Sequence, residues 1–198
     1  MNKKHPENPV TFFQEWLNKA RETEINDPEA MALATSTKDG HPSVRMVLLK
    51  HIDNNGFKFH TNEQSQKGSE LDQNPHAALC FHWKTLRKQV RVEGIIKKAS
   101  QTEADEYFKN RPYARQIGAW ASDQSRPLES REFLENKIAQ IQNQYPEGSK
   151  VPRPPYWIGY RVIPQKMEFW WDNQDRLHDR ILYTQTSSGQ WEIKRLYP

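Results

Sequence analysis

This chain of 198 residues predicts a mainly β protein with flanking α-helices, built as a closed or nearly closed antiparallel barrel of Greek-key-like form. Three observations predict it. Roughly eight short runs rich in β-branched, aromatic and aliphatic residues are separated by turn signals. The connections between most of them are too short for helical crossovers, so neighbouring strands run antiparallel. No internal repeat, low-complexity tract or composition shift divides the chain, so residues 1–198 read as one domain, with a helical segment over 1–28, a helical insertion over 100–145 and closing strands over 156–198.

Taken in order, Asn8 can cap a helix with Pro9 at its first position, and Val10, Phe13, Trp16, Leu17 and Ala20 recur at helical spacing. Asp27-Pro28 breaks that pattern. Residues 30–37 and 43–52 read as a hairpin joined at Asp39-Gly40. Asp53-Asn54-Asn55-Gly56 turns the chain into a strand over 57–61, and Ser65 caps a short helix ending near Asn74-Pro75. Residues 76–83 and 89–98 supply the next strands, and a meander is the expected topology. Ser100-Gln101-Thr102-Glu103 fits a capping box and opens a helix carrying Tyr107, Phe108 and Arg111 before Pro112. A polar helix over 129–145 has Phe133, Leu134, Ile138 and Ile141 as its buried stripe. Beyond a proline-rich connector, strands are expected over 157–163, 166–171, 176–185 and 191–196, separated by Pro164, a turn over Asp172 to Asp175, and Ser187-Ser188-Gly189.

Composition narrows the function. The apolar share is 35% and mean hydropathy is -1.02, so thin a core that a second copy of the chain is expected to complete it. The net charge is +4, yet basic residues are interleaved with acidic ones and form no long block, which points to small phosphates rather than nucleic acid. Cys80, the only cysteine, sits in the apolar run Ala77 to Phe81 and reads as a buried thiol; it leaves no disulfide framework or CxxC site. His51, His60, His76, His82 and His178 lack metal-ligand spacing, so no metal is expected. Met1-Asn2-Lys3-Lys4-His5-Pro6 leads into a polar amphipathic segment, and no run reaches membrane-spanning length, so a cytoplasmic protein without a membrane partner is expected.

The chemistry concentrates in a few places. If residues 176–185 are a strand, alternation turns Arg176, His178 and Arg180 to one face, beside Trp170 and Trp171. Converging like charges suit an anion or electron-rich ring between them, and large rings nearby suit a flat, phosphorylated ligand. A solvated edge strand is the alternative. Arg45-Met46-Val47-Leu48-Leu49-Lys50 brackets an apolar run with two cations, as a planar cofactor gripped at its polar ends would require, or as a core strand with charged ends would show. Strict alternation puts Arg45 and Lys50 on opposite faces, so either a bulge intervenes or they meet different groups. Ser65-Gln66-Lys67-Gly68 at a helix start offers an anion site or an ordinary cap. Tyr107 and Arg111 share a helix face and can grip one ligand or pack on each other, while Gln89, Gln124 and Ser125 offer neutral hydrogen-bonding groups. Glycine-rich phosphate cradles and a nucleophile elbow are absent from the sequence.

Arg45 to Lys50, Thr61-Asn62, Gln116 to Ser122 with Gln124-Ser125, Glu168-Phe169-Trp170, Arg176-Leu177-His178-Asp179-Arg180 and the closing Arg195-Leu196-Tyr197-Pro198 occur in an order that resembles the pyridoxamine 5'-phosphate oxidase family, collinearly from about Ala30 onward. The resemblance implies a homodimer of FMN-binding split β-barrels with the flavin at the subunit interface. By position it implies that Arg45, Met46, Val47, Leu48, Leu49, Lys50, His60, Thr61, Gln66, Lys67, Gln89, Gln124, Ser125, Trp170 and Arg180 bind FMN. It further implies that Lys50, Tyr107, Arg111, Arg115, Arg176 and His178 bind the pyridoxine or pyridoxamine phosphate, with Arg176 and His178 catalytic.

Three positions depart from the family pattern. His60 replaces a usual tyrosine, Gln66 a basic residue and Arg115 a serine. Losing a charge-assisted hydrogen bond at Gln66 costs about 1.5–3 kcal/mol unless another group replaces it. A flavin reductase or other split-barrel flavoprotein, a non-catalytic module that binds FMN or pyridoxal phosphate, and a single-strand nucleic-acid barrel are the rival readings.

Overall fold

The computed structural model describes residues 5–198; of the amino-terminal segment read above, Met1 to Lys4 lie outside the described residues. Helix α1 (Pro9–Thr23) begins as expected, with the Asn8 side chain accepting from the Val10 N–H at 2.8 Å. Its Val10, Phe13, Trp16, Leu17 and Ala20 are all buried. Phe13 packs edge-on against Phe57 at 4.9 Å and Phe81 at 4.7 Å, so α1 closes one end of the sheet's hydrophobic interior.

The strands are β1 (Ala30–Ser36), β2 (Pro42–Leu48), β3 (His51–Asp53), β4 (Gly56–Asn62), β5 (His76–Trp83), β6 (Lys88–Lys98), β7 (Trp157–Trp171), β8 (Asp179–Gln185) and β9 (Trp191–Leu196). Between them stand α2 (Gln66–Gln73), α3 (Gln101–Lys109), α4 (Tyr113–Ala121) and α5 (Arg131–Gln144). All pairings are antiparallel, in the order β2-β1-β5-β6-β7-β4-β3, with β8 on β7 and β9 on β8. A simple meander is therefore corrected: β5 pairs with β1 rather than β4, because α2 carries the chain across before β5 begins.

Two expected strands around Pro164 are one. β7 runs through the proline because it bulges there: Gln165 is the extra residue between Pro164, opposite Gly94, and Lys166, opposite Glu93, and a Cβ on residue 94 would stand 2.0 Å from the Ile163 carbonyl oxygen. The bulge absorbs the ladder bond that proline cannot donate. Along β7, β4 pairs with Trp157 to Val162 and β8 with Lys166 to Trp171, so one strand anchors two hairpins end to end.

The expected strand 43–52 also divides. Leu48 ends β2, the Leu49 N–H turns to the Glu29 carbonyl at 2.9 Å, and the Lys50 N–H reaches the Lys58 carbonyl at 2.8 Å. The chain passes from one partner strand to another at this point, which cancels the alternation that would have put Arg45 and Lys50 on opposite faces. In the middle of the chain, α3 stops at Lys109 with Asn110 as its C-cap, so Arg111 lies beyond the helix it was expected to share with Tyr107, and Pro112 stands at the N-cap of α4, which was not anticipated. The stripe expected to be buried on α5 is not, since none of its residues is buried and Phe133 is exposed; Ile138 and Ile141 lean only partly on a small cluster around Phe108, Ile117, Val151 and Trp157.

The Phe13 contacts make α1 an integral part of the core. Phe13→Ala should lower the unfolding free energy by about 3–5 kcal/mol, measurable as a lower urea midpoint with little change in slope.

Candidate active site

A cavity of about 800 Å³ opens between β2, β4, the start of α2 and the α3–α4 corner. Arg45, Met46, Val47, Leu48, Lys50, His60, Thr61, Lys67, Tyr107, Arg111, Arg115, Gln124 and Ser125 line it. Sequence reasoning missed Asn62, Asn110 and Trp157, which also line it. Trp157 had no signal beyond opening a strand, although it is the ring on which one wall is built.

That wall is a set of near-parallel rings. His60 stacks on Tyr107 at 4.1 Å and 11°, and on Trp157 at 4.8 Å and 2°. Room for the imidazole depends on Gly159, where a Cβ would come within 3.1 Å of His60 Cδ2 and Nε2. The Arg111 guanidinium lies 4.6 Å from the Trp157 ring centre, a cation–π contact. Burial, and then the charges of Lys58, Arg111 and Lys50, push His60 down to about 3, so it is a neutral ring here. Both of its nitrogens and Arg111 Nη1 are buried without a hydrogen-bond partner among the described residues.

The opposite wall separates two kinds of cation. Arg45 is satisfied within the chain: its guanidinium bonds Thr35, Ser43 and the buried carboxylate of Glu70, 3.3 Å away. Burial alone would raise Glu70, but hydrogen bonds from Ser43, Thr35 and Gln66 and the charge of Arg45 outweigh it and bring the group from its ordinary 4.5 to about 2. Gln66 therefore spends its amide on Glu70 at 2.8 Å rather than on the cavity. Lys67 is different. Its ammonium is buried against Ser65 Oγ at 3.3 Å and Gln124 Oε1 at 3.2 Å, and it makes no ion pair among the described residues. Burial, reinforced by Arg45, lowers its pKa. A buried ammonium with only neutral partners is costly unless an anion joins it, and Arg111 repeats the pattern. An apolar strand, neutral Thr61, Gln124 and Ser125, and buried cations without acids together fit a phosphorylated planar group such as FMN.

The remaining predicted residues lie elsewhere. Leu49 turns its side chain into the core. Gln89, Trp170 and Arg180 occupy one row across β6, β7 and β8, and His178 rests against Trp170 with ring centres 4.7 Å apart. Arg176 is not in a strand, because Gln174–Arg176 is a 3-10 turn with positive φ at Asp175 and Arg176. The face shared by Arg176, His178 and Arg180 is therefore corrected. Arg180 bonds the buried Glu168 at 3.0 Å and His178 Nδ1 lies 3.1 Å from Asp172, so repulsion alone does not demand an anion. Trp157 and Trp170 belong to one continuous strand, whose 3.3 Å rise per residue places them up to about 40 Å apart. One chain thus holds the two groups of residues at opposite ends of β7. Among the described residues no cluster of three or more His, Cys, Asp or Glu side chains could hold a metal, and no helix is long and apolar enough to cross a membrane.

A curled antiparallel sheet flanked by helices, with this cavity on its side, defines a split-barrel flavoprotein. The chain belongs to the pyridoxamine 5'-phosphate oxidase family: residues 17–145 match the model of that name, and residues 157–198 match the pyridoxine 5'-phosphate oxidase C-terminal dimerisation region. It is similar to the pyridoxine/pyridoxamine 5'-phosphate oxidase of Rhodospirillum rubrum, 55% identical over 195 residues covering 96% of each chain. The Brucella canis protein of the same name is 54% identical over 191 residues, covering 96% of this chain and 94% of its own. Among solved structures, PhzG from Burkholderia lata, in complex with tetrahydrophenazine-1-carboxylic acid, superposes with a TM-score of 0.92 at 34% identity, covering 98% of this chain and 94% of that one. An FMN-binding protein from Nostoc punctiforme, at a TM-score of 0.75 and 18% identity over 95% of this chain and 96% of its own, shares the fold.

The Glu70 cluster carries a pH signature. A carboxyl held below its ordinary value stabilises the fold fully above about 4.5 and loses that contribution as pH falls toward about 2. Wild type should therefore exceed Glu70→Gln in stability at neutral pH, and the gap should close across that window in urea titrations.

Proposed function

We infer that this chain catalyses the FMN-dependent oxidation of pyridoxamine 5'-phosphate and pyridoxine 5'-phosphate to pyridoxal 5'-phosphate, with O2 as acceptor and hydrogen peroxide, plus ammonia from the amine, as products. The reaction serves the biosynthesis and salvage of pyridoxal phosphate. The structural observation that carries the reading is the cavity in which the Lys67 ammonium and Arg111 Nη1 are buried with no acid paired to them among the described residues. The chain acts as a homodimer with FMN at the interface. This arrangement suits the division of residues along β7, since the cavity of one copy can be completed by the Gln89, Trp170, His178 and Arg180 group of the other. A lone cysteine, half-buried and with its thiol raised by burial, suits a reducing compartment and supports placement in the cytoplasm.

FMN, when bound, supplies the ring that accepts a hydride and passes its electrons to oxygen. The chain's own residues bind and orient. Lys67 neutralises the flavin phosphate, Arg45, whose charge Glu70 already meets, stands beside it as a donor, and Thr61, Gln124 and Ser125 offer hydrogen bonds, while Met46, Val47 and Leu48 supply the apolar surface. Lys50, Tyr107, Arg111 and Arg115 receive the substrate phosphate, and an arginine at 115 adds a forked donor where the family has a hydroxyl. His60, neutral and stacked, keeps Tyr107 and Trp157 in register without adding another charge. Arg176 and His178 position the C4' substituent of the substrate.

Lys67→Met should weaken FMN binding about tenfold or more, the cost of roughly 1.5–3 kcal/mol for a charged hydrogen-bond donor, read by flavin fluorescence titration. In an anaerobic spectrum, pyridoxamine phosphate should bleach the flavin band and air should restore it. Arg176→Ala with His178→Leu should retain the band and lose the bleaching; unchanged turnover in that double variant would remove both residues from the mechanism. A band that never bleaches in wild type would favour another split-barrel flavoprotein or a binding module.

A further inference from the structure

His178 is held by residues that the turn reading of Asp172 to Asp175 gave no reason to notice. Asp172 follows directly on β7, and its N–H donates to the Arg87 carbonyl at 3.0 Å while its carboxylate pairs with the Arg87 guanidinium. On the other side, Asp172 Oδ1 lies 3.1 Å from His178 Nδ1. The backbone nitrogen of Asn173 lies 3.3 Å from the same Nδ1.

Those two neighbours make opposite demands on one atom. A carboxylate accepts a proton from Nδ1, whereas a backbone N–H needs a lone pair there. A neutral imidazole can satisfy only one of them. Bonds with an ionised partner are shorter and roughly twice as strong as neutral ones, and the two distances fall in that order. With side-chain exposures of 22% for His178 and 18% for Asp172, the pair is largely shielded from water. The Arg87 brace keeps the carboxylate in place.

We propose that Asp172, braced by Arg87, is a positioning residue that fixes neutral His178 as its Nδ1–H tautomer and so reserves Nε2 as a hydrogen-bond acceptor for the C4' substituent of the substrate. The proposal rests on His178 facing that substituent. It also gives the site a preference. A C4' ammonium can only donate, so it needs an acceptor, whereas a C4' hydroxyl can donate or accept and tolerates either tautomer. Losing Asp172 frees Nδ1 to accept from Asn173, moves the proton to Nε2 and turns the wrong kind of atom toward the amine.

The test is a long-range 1H–15N spectrum of the FMN-loaded protein labelled with 15N-histidine, at alkaline pH, with His178→Ala used to assign the signal among the seven histidines. Wild type should show the Nδ1–H pattern, D172A the Nε2–H pattern, and D172N, whose side-chain oxygen still accepts, the wild-type pattern. In kinetics, D172A should lose about tenfold in kcat/KM with pyridoxamine phosphate, the worth of about one hydrogen bond, and clearly less with pyridoxine phosphate; D172N should recover most of it. An Nε2–H pattern in wild type would overturn the proposal, and it does so even if D172A does not fold. So would an unchanged tautomer in D172A, or equal losses with the two substrates. Failure of wild type to oxidise either substrate, with the Nδ1–H pattern intact, would instead count against the oxidase reading and leave the tautomer assignment standing.

Discussion

The architecture depends on one strand. β7 is fifteen residues long and pairs with β6 along nearly its whole length, so its other edge has room for two unrelated hairpins, β3–β4 at the start and β8–β9 at the end. The ladder stays continuous through Pro164 because β7 bulges at Gln165 and Gly94, without a side chain, lets the two backbones approach there. Were β7 two strands, the second could fold back and bring Trp170 toward the cavity within one chain. As a single rod it separates Trp157 from Trp170 and makes a dimeric enzyme the economical solution. Val44, Met46 and Leu48, exposed on the edge strand β2, are an apolar stripe of the sort a partner subunit covers.

Around the cavity, the positive charge is arranged in two ways. Arg45 sits in a preformed cage of Glu70, Thr35 and Ser43, with Gln66 holding the other carboxylate oxygen. That cage fixes the geometry of a cation without consuming the cavity's capacity for an anion. Lys67 is buried and Arg111 half-buried, neither is paired with an acid among the described residues, and an arriving anion offsets their desolvation. A basic residue at 66 would compete with Arg45 for Glu70, so the glutamine is consistent with this cage as well as with a less cationic cavity. The neutral His60 fits the same arrangement, since a buried charge on it would be repelled by Lys58, Arg111 and Lys50.

Much of the fold was legible in the chain. The Asn8 cap and the spacing of Val10, Phe13, Trp16, Leu17 and Ala20 determined α1, Ser100 and Glu103 determined the start of α3, and Asp39-Gly40 and Asn55-Gly56 located two hairpins. These are local effects, settled by capping, period and turn chemistry within a few residues. The arginine, lysine and tyrosine positions around the cavity were legible through their resemblance to a family.

Only the tertiary structure decided the rest, because each decision lies between residues distant in sequence. Strand order turned on β1 meeting β5, and the parity of Arg45 and Lys50 on the chain leaving β1 for β4 between them. Trp157 became a wall of the cavity by stacking on a histidine nearly a hundred positions earlier, and Glu70 of α2 became the partner of Arg45 of β2 across two intervening strands. Periodicity reports which face of an element is apolar; it carries no information on which distant face that element meets. The sequence by itself determined the local elements and the stock of cations. Long-range packing determined which cations are paired, which await an anion, and why one chain holds the two parts of the site apart.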